Sequence, residues 1–276
     1  MSNIPAWATT SGDVWAERWL QLDRGLAGVA GRLDPAILAA APPGPFRALD
    51  IGCGAGSTSL ALAEARPDAS VIACDLSPSL LRVAEGRLAG TLAKPLLGDA
   101  QDVAVREGPF DFFFSRHGVM FFADPARAFQ TFRQASNAGA SLVFSCFENW
   151  PANLWASELA EAAAGRAVES PGREPGAFAF ADREYARSIL ESAGWADATH
   201  RSVEFDYVTG SGNGAVEEAL SLLCAVGPAS AILRDLHQGE QERAVLRMRA
   251  VIERHFDGTR VTFPAAASLW SAVAGA

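Results

Sequence analysis

The chain has 276 residues, of which 49% are hydrophobic and 20% charged, and its formal net charge at pH 7 is −9. This length allows a full α/β core with an insertion, and this composition excludes a long disordered region. The acidic balance disfavours a nucleic-acid substrate, because a polyphosphate backbone would on average be repelled.

The cysteines bear on metal binding and on the cellular compartment. Cys53, Cys74, Cys146 and Cys224 form neither a CxxC pair nor the spacing of a zinc site. They predict reduced, mostly buried thiols and no metal. The first residues contain no basic stretch followed by an apolar one, and no run reaches about 18 uninterrupted apolar residues. We therefore expect a cytoplasmic protein that does not span a membrane.

Residues 1–45 are predicted to form an N-terminal helical cap segment. Within it, residues 13–40 read as one amphipathic helical stretch, because apolar side chains recur at spacings of three and four. These apolar side chains are Trp15, Trp19, Leu22, Leu26 and Val29. We expect this stretch to pack over the mouth of the core that follows.

Residues 46–147 alternate short apolar runs with helix-like segments, which is the pattern of βαβ units and a parallel sheet. Buried strands are predicted at residues 46–51, 70–75, 95–98, 110–115 and 141–147. Ser77-Pro78 and Asp124-Pro125 each predict a helix N-terminus, and Asn137-Ala138-Gly139 predicts the end of the second helix. This part is interpreted as the nucleotide-binding core.

The last two parts extend the sheet and the cap. Residues 148–181 are rich in Ala, Gly and Pro and predict a lid insertion, a helix followed by a mobile loop. Residues 182–276 predict the C-terminal part of the sheet. It comprises a helix over 182–193 capped by Asp182, strands at 198–208 and 260–273, and a helical insertion at 215–256. The predicted fold class is α/β, a Rossmann-like seven-stranded, mostly parallel sheet with helices on both faces and a helical cap.

The most informative segment joins the first predicted strand to a helix through three alternate glycines, Gly52, Gly54 and Gly56. Without a Cβ, main-chain N–H groups can approach a bound ligand, and the following helix N-terminus adds donors and a favourable dipole. Alone, such a loop is a weak signal that many nucleotide-binding folds share.

Acidic residues after the second and third strands make the signal of the glycine loop more specific. Asp75 ends the second strand roughly 20 residues after the glycine loop, where an acid can accept both ribose hydroxyls of a nucleoside. After the third strand, Asp99 and Ala100 are placed to read the amino edge of an adenine, and Leu76 is placed to pack on its ring. Because carboxyl-end loops of neighbouring strands converge in open α/β sheets, these residues predict a site for an adenosine-containing ligand.

On these residues the chain resembles the class I S-adenosylmethionine-dependent methyltransferases, from about residue 13 to the C-terminus. Residues 49–56 look like the first motif of that family, and Asp75 and Gly98-Asp99-Ala100 accompany it. The resemblance implies S-adenosyl-L-methionine as cofactor, with the three glycines near its methionine part, Asp75 on the ribose, and Asp99 with Ala100 on the adenine. The full set expected to bind the cofactor is Arg18, Trp19, Asp50, Gly52, Cys53, Gly54, Gly56, Asp75, Leu76, Asp99, Ala100 and Ser115.

Residues 115–122 and 178–182 look like a bacterial small-molecule subgroup near the ubiquinone- and menaquinone-biosynthesis methyltransferases. Two positions depart from the pattern of that subgroup. Asn137-Ala138-Gly139 stands where a Pro-Gly-Gly turn is usual, and His117 stands where an apolar aromatic residue is expected. His117 follows the fourth strand, beside the expected methyl-transfer centre. It is therefore either a general base for a phenol or another weakly acidic hydroxyl, or a group that packs or hydrogen-bonds beneath the cofactor.

Two further groups of side chains have a functional and a structural interpretation. Arg18 and Trp19 could close over the methionine carboxylate, with the guanidinium as countercharge, or they could be an exposed cation and a core aromatic of the same helix. The lid aromatics could line an apolar acceptor pocket together with His117, or they could form the core of the cap. These aromatics are Phe147, Trp150, Trp155, Phe178 and Phe180.

The predicted function is S-adenosylmethionine-dependent methyl transfer to a small-molecule acceptor, with O-, N- and C-methylation all open. We expect neither a nucleic-acid partner nor a membrane partner, and a monomer or a homodimer. One alternative is a noncatalytic protein that binds S-adenosylmethionine. Another is an NAD(P)-dependent oxidoreductase. Two residues disfavour it: Ser57 replaces the third glycine of the GxGxxG pattern, and an acid just before the loop, here Asp50, is foreign to that pattern.

Overall fold

The computed structural model describes residues 7–275, and its centre is one seven-stranded sheet. The strands are β1 (Phe46–Ile51), β2 (Ala69–Asp75), β3 (Lys94–Leu97), β4 (Phe110–Arg116), β5 (Ser136–Phe147), β6 (Trp195–Ser211) and β7 (Arg260–Ala274). Their order across the sheet is β3-β2-β1-β4-β5-β7-β6. Only β7 runs antiparallel to its neighbours within this sheet. The predicted fold class, a Rossmann-like and mostly parallel sheet of seven strands, is confirmed.

The helices lie between and beyond these strands. They are α1 (Thr10–Glu17), α2 (Trp19–Gly25), α3 (Ala27–Ala40), α4 (Ser57–Ala65), α5 (Pro78–Leu88), α6 (Ala100–Glu107), α7 (Pro125–Gln134), α8 (Leu154–Ala164), α9 (Arg183–Ser192), α10 (Ala215–Ala225), α11 (Pro228–Asp235) and α12 (Gln238–Arg254). The predicted helix starts are confirmed, because the side chains of Ser77, Asp124 and Asp182 each accept a hydrogen bond from a main-chain N–H of the first turn.

Both faces of the sheet are buried, as the central strand β4 illustrates. Alternate residues of a strand point to opposite faces, and Phe112, Phe113 and Phe114 are all fully buried. On one face the Phe112 ring contacts Phe46, with ring centroids 6.1 Å apart. On the other face Phe113 contacts Trp195 at 5.8 Å. One continuous hydrophobic core therefore extends through both layers of the fold.

The predicted helical stretch over residues 13–40 is wrong in one respect, because the chain forms three helices there, α1 to α3. Breaks fall at Arg18 and Leu26, whose backbones leave the helical conformation. Two glycines, one on α2 and one on α3, let these helices lie close to β6. A Cβ on Gly28 would come within 2.8 Å of Phe205, and one on Gly25 within 3.1 Å of the Tyr207 ring. These two glycines therefore let α2 and α3 pack closely against β6.

Two other boundaries differ from the prediction. The helical insertion at 215–256 is divided into α10, α11 and α12, with a first break at Gly227, whose φ is +82°. β5 begins at Ser136, so Asn137-Ala138-Gly139 lies inside that strand. There the pairing jumps from Phe110 with Ser136 to Phe112 with Ser141, and the extra residues bulge out of the ladder.

The membrane prediction concerns helix length and apolarity. Among the helices at residues 7–275, none is by itself both long and apolar enough to cross a bilayer. Residues 212–225 and 228–235 together meet the length and composition test as a pair bent by 69°.

Candidate active site

The glycine loop between β1 and α4 lies at the carboxyl end of the sheet. Gly52 and Gly54 both have left-handed backbones, with φ of +67° and +55°. A Cβ on Gly54 would meet nothing within 4 Å, so the main chain there faces open space that a ligand can approach closely. A Cβ on Gly52 would lie 3.2 Å from the Cα of Gly118, which shows that the loop also packs against the turn after β4.

Gly56 and Ser115, two of the residues predicted to bind the cofactor, serve packing and the backbone, and neither lines the cavity described below. A Cβ on Gly56 would lie 3.0 Å from the Ala84 side chain, so this glycine lets α4 and α5 approach each other. The Ser115 hydroxyl donates to Ile51 O at 2.6 Å and accepts from Gly118 N at 3.1 Å. Ser115 thus holds the end of β4 against β1.

Asp75, at the end of β2, organises the glycine loop. Its Oδ2 accepts from Gly54 N and its Oδ1 from Ser77 N, both at 2.8 Å. Burial raises the pKa of Asp75, and these main-chain donors oppose that rise because they stabilise the carboxylate. Each carboxylate oxygen keeps a further lone pair, so Asp75 can still accept from a pair of hydroxyls.

A first cavity of about 540 Å³ opens in front of these residues. Most of the predicted cofactor-binding residues lie in its wall, namely Trp19, Asp50, Gly52, Cys53, Gly54, Asp75, Leu76, Asp99 and Ala100. Asp99 Oδ1 accepts from Gln101 N at 2.8 Å and so caps α6. The structure thus brings residues from the ends of β1, β2 and β3 to one cavity.

Asp50 has a buried oxygen atom without a partner. The Asp50 side chain is almost fully buried, and its Oδ2 accepts from Ser59 Oγ at 2.6 Å. Its Oδ1 has no hydrogen-bond partner among residues 7–275. Burial raises the pKa of Asp50 to about 7, with the Ser59 hydrogen bond opposing the rise. A cationic group in the cavity would satisfy this oxygen and favour the carboxylate form.

Arg18 points away from this cavity, so its predicted contact with the methionine carboxylate is corrected. Its Nη1 donates to Ser221 Oγ on α10 at 3.2 Å. The cavity wall instead includes Arg116, at the end of β4, and Asp23, on α2. Arg116 Nη2 lies 2.6 Å from Asp23 Oδ1, and Arg87 Nη1 lies 2.7 Å from Asp23 Oδ2. Sequence reasoning missed Arg116, although its position directly after a predicted strand was an available signal.

Trp19, which was predicted to bind the cofactor, lines the first cavity. The Arg87 guanidinium lies 4.7 Å from the centre of the Trp19 ring, a cation–π contact. Through Trp19 and Asp23, α2 is therefore bound to Arg87 on α5. This contact holds the N-terminal segment over the cavity mouth.

His117 has an unusual backbone and a buried ring. Its φ is +61°, a conformation that non-glycine residues adopt rarely and mostly where the surroundings impose it. Its main-chain N donates to Ser145 O at 3.1 Å, and its Nδ1 lies 2.8 Å from Ser145 Oγ. Burial and the nearby Arg116 charge lower the pKa of His117 to about 3. The imidazole is therefore neutral at pH 7, which makes it a weak general base.

A second cavity, of about 700 Å³, lies behind His117. Of the predicted acceptor-binding residues, His117, Phe147, Trp150 and Phe178 line it, as does Trp155. Phe180 is corrected to a core residue, because its ring packs between Phe129 and Phe144 at 6.0 and 6.3 Å. Tyr207 is a wall residue that sequence reasoning missed. It stacks on Trp155 with ring centroids 5.1 Å apart, and the only signal for it in the sequence was the strand-like alternation of residues 198–208.

The two cavities adjoin. The residues that line both are Trp7, Trp15, Leu22, Leu26, His117 and Phe121. Trp7 contacts Trp15 and Phe121 with ring centroids 5.3 and 4.9 Å apart. His117 is the polar member of this shared wall. Ligands in the two cavities would therefore meet at a wall that His117 shares with five apolar side chains.

The side chains that could bind a metal are dispersed. In the part of the chain that the structure describes, no three His, Cys, Asp or Glu side chains are close enough to hold a metal ion.

Comparison with known proteins identifies the central part of the chain. Residues 49–144 match the family model described as a methyltransferase domain. The demethylmenaquinone methyltransferase of Roseiflexus castenholzii is 27% identical over 180 residues, which cover 60% of this chain and 75% of that protein. The malonyl-[acyl-carrier protein] O-methyltransferase of Geobacter sulfurreducens is 29% identical over 161 residues, which cover 58% of this chain and 57% of that protein. The chain thus spans about half the length of the second relative.

Solved structures share the fold. The YcgJ protein of Bacillus subtilis superimposes with a TM-score of 0.57 at 15% identity, covering 89% of this chain and 99% of that one. The phosphoethanolamine N-methyltransferase 2 of Haemonchus contortus, solved with S-adenosyl-L-methionine, superimposes with a TM-score of 0.54 at 17% identity. The superposition covers 100% of this chain and 60% of that one.

The fold and the site together define a class of enzyme. A glycine loop, an acid at the end of β2 and a second acid after β3 surround one cavity of a seven-stranded sheet whose only antiparallel strand is β7. Residues 49–144 form a methyltransferase domain, and the chain has the fold of the class I S-adenosylmethionine-dependent methyltransferases. S-adenosyl-L-methionine is the cofactor of that class of enzyme. The orphaned oxygen of Asp50 and the open approach to Gly54 fit that cofactor.

Proposed function

We propose that this chain is an S-adenosylmethionine-dependent methyltransferase whose acceptor is an apolar, largely aromatic small molecule that enters the second cavity and meets the cofactor beside His117. The observation that carries this proposal is that His117 lines both cavities. The walls of the second cavity are mostly aromatic and aliphatic, and such surfaces favour flat apolar ligands with a few polar groups. A relative named as a demethylmenaquinone methyltransferase points to the same class of acceptor.

The first cavity holds the cofactor in this proposal. Gly52, Cys53 and Gly54 surround its methionine part with Asp50 facing the ammonium group, and Asp75 accepts the ribose hydroxyls. Leu76, Asp99 and Ala100 contact the adenine, and Trp19 covers the mouth. When bound, the cofactor supplies a methyl group already activated on a sulfonium. The protein has to align the acceptor with that methyl and exclude water, which the adjoining cavities and the aromatic cover can do.

The cover belongs to the segments outside the core. Residues of α1 and α2 and of the loop after α8, such as Val14, Leu22 and Phe178, line the second cavity. This supports a division into an N-terminal cap segment at 1–45, a cofactor-binding core at 46–147, a lid at 148–181, and a C-terminal part of the sheet at 182–276 with its helical insertion at 215–256.

A noncatalytic S-adenosylmethionine-binding protein is less well supported than an enzyme. Such a protein has no need of a second aromatic cavity that shares a wall with the cofactor cavity. Net acidity argues against a nucleic-acid partner. The free thiols of all four cysteines are consistent with the reducing cytoplasm, where we place the protein as a monomer or homodimer.

Cofactor affinity is expected to weaken as the pH falls below about 7. The carboxylate form of Asp50 attracts the cationic cofactor and the protonated form does not, so affinity is lost as the pH falls through the Asp50 pKa of about 7. The dissociation constant should rise by up to about tenfold per pH unit below 7. Isothermal titration calorimetry between pH 5.5 and 7.5 measures it. Asp50→Asn should bind more weakly and with a flat pH profile, and an unchanged slope in this variant would exclude Asp50 as the titrating group.

Methyl transfer from radiolabelled S-adenosylmethionine to a panel of acceptors tests the proposed function. The panel contains naphthols and hydroquinones, polar amines such as phosphoethanolamine, and DNA and RNA. We expect label in the aromatic hydroxylated compounds and none in the polar amines or nucleic acids. Label confined to the polar or macromolecular acceptors would refute the acceptor class. Tight cofactor binding without transfer to any compound would favour the noncatalytic alternative.

A further inference from the structure

The pair formed by His117 and Ser145 restricts where the imidazole proton resides. Ser145 Oγ lies 2.8 Å from His117 Nδ1, and both side chains are buried. That nitrogen is the only hydrogen-bond partner of the hydroxyl among residues 7–275. On the other side of the ring, Nε2 is buried and has no partner among the same residues. His117 lines both cavities, and Nε2 is the ring nitrogen that the protein leaves without a partner.

The two neutral forms of His117 differ in how many buried polar groups they leave unsatisfied. If Nδ1–H donated to Ser145 Oγ, the hydroxyl hydrogen and the Nε2 lone pair would both lack partners. If the Ser145 hydroxyl donates to Nδ1, only the Nε2–H group lacks a partner. Each unsatisfied buried polar group is costly, so the second arrangement is favoured. The cationic form is disfavoured, since burial and Arg116 keep the pKa of His117 low.

We propose that Ser145 is a positioning residue that holds His117 as the neutral Nε2–H form, and that this N–H donates a hydrogen bond to an oxygen atom of the methyl acceptor. The inference rests on the proposed function, because it concerns the acceptor that occupies the second cavity. It assigns His117 the role of a donor and not that of a general base. A neutral imidazole that donates to an oxygen stabilises negative charge there without receiving a proton.

The donor role narrows the class of acceptor. A donor at this place favours a compound with an acidic enol or phenol that binds as its anion, after its proton has passed to bulk water. The electron pair of the oxygen, or of the carbon beside it, then forms the bond to the methyl carbon as the carbon–sulfur bond breaks and its electrons remain on sulfur. If carbon is methylated, the ring carbon afterwards loses its proton to water. His117 takes up no proton in either case.

Nitrogen NMR of the imidazole rings tests the tautomer directly and needs no acceptor. In uniformly ¹⁵N-labelled full-length protein, two-bond ¹H–¹⁵N correlations distinguish the Nε2–H form, the Nδ1–H form and the imidazolium of each histidine. The spectrum of His117→Phe identifies the signals of His117. We expect the neutral Nε2–H pattern at pH 7, and in Ser145→Ala a shift of the Nδ1 resonance toward that of a nitrogen without a hydrogen bond. The Nδ1–H pattern or an imidazolium in the unmodified protein would overturn the proposal.

Two substitutions at the same strained position separate a donor from a base. The amide of His117→Gln can donate a hydrogen bond but cannot take up a proton, whereas His117→Phe can do neither. With an acceptor from the panel, a donor role predicts that the glutamine variant retains turnover within about tenfold and the phenylalanine variant loses about a hundredfold. A base role predicts equal losses. The threonine variant of Ser145 should retain more turnover than Ser145→Ala, because it keeps the hydroxyl.

The pH profile gives a second kinetic readout. For a donor, the acid limb of kcat/KM follows the pKa of the acceptor and moves when acceptors of different acidity are compared. For a base, it follows one enzyme pKa whatever the acceptor. Calorimetry of the cofactor in every variant at positions 117 and 145 shows how much of a change in turnover comes from altered cofactor binding, because His117 also lines the first cavity. Absence of methyl transfer to the whole panel would count against the proposed function, whereas the NMR spectrum would still decide the tautomer.

Discussion

Replacing Asp75 with alanine is expected to raise the dissociation constant of S-adenosylmethionine by about a hundredfold. Lost hydrogen bonds to a charged group cost about 1–3 kcal/mol, and the upper end corresponds to roughly that factor. We expect the upper end because Asp75 has two functions. It faces the cofactor cavity, and it also accepts from Gly54 N and Ser77 N, so its removal loosens the glycine loop as well.

The controls for this prediction use the same strand and the same position. Asp68 precedes β2 at its other end, is exposed, and pairs with Arg66. Asp68→Ala removes a carboxylate of equal charge far from the cavity and should leave the dissociation constant unchanged. Asp75→Asn keeps one acceptor oxygen and should fall between the alanine variant and the unmodified protein. Calorimetric affinities of Asp75→Ala within twofold of the unmodified protein, for both S-adenosylmethionine and S-adenosylhomocysteine, would contradict the assignment.

Filling the second cavity is expected to abolish methyl transfer while cofactor binding is retained. Ala231 on α11 lines this cavity and is exposed at its edge, so a larger side chain can be placed there without displacing the core. The indole of Ala231→Trp would occupy space that the acceptor needs. Misplacing a reactant by about an ångström already costs about a hundredfold in rate, so kcat/KM for the acceptor should fall at least that far.

Matched variants separate this effect from general damage to the cap. Ala231→Ser changes little volume and should retain activity. Ala250→Trp places the same indole at an exposed position of the neighbouring helix α12, away from the cavity wall, and should also remain active. Steady-state methylation of a reactive panel compound, with calorimetry of the cofactor, provides both readouts. Full activity of Ala231→Trp would mean that the acceptor binds elsewhere.

Local signals in the sequence were sufficient to predict the strands and helix starts of the core. The bounds of β1 agree with the prediction, because a short buried strand beside a glycine loop is encoded by adjacent residues. The caps at Ser77, Asp124 and Asp182 agree for the same reason, since each involves a side chain and an N–H group two or three residues away. Asp50, Asp75 and Asp99 reach one cavity because parallel strands present their carboxyl ends at one edge.

Predictions that depended on side-chain direction were less reliable. Arg18 and Trp19 are adjacent on the chain, yet the tryptophan lines the first cavity and the arginine contacts α10. Phe178 and Phe180 are two residues apart, yet only Phe178 lines the second cavity, while Phe180 lies in the core. The helix break at Arg18 and the irregular lid loop set these directions, and neither follows a simple period along the sequence.

The sequence by itself determined the class of fold and which residues meet at the first cavity, because the glycines, the acids and the strands that carry them are specified by local spacing. Only the tertiary structure decided how the cap meets the core. The hydrogen bond between His117 and Ser145 joins the end of β4 to β5, and the Arg116–Asp23 pair joins β4 to α2. Tyr207 lines the second cavity from β6. Such contacts depend on the packing of segments far apart in the chain, which no local pattern encodes.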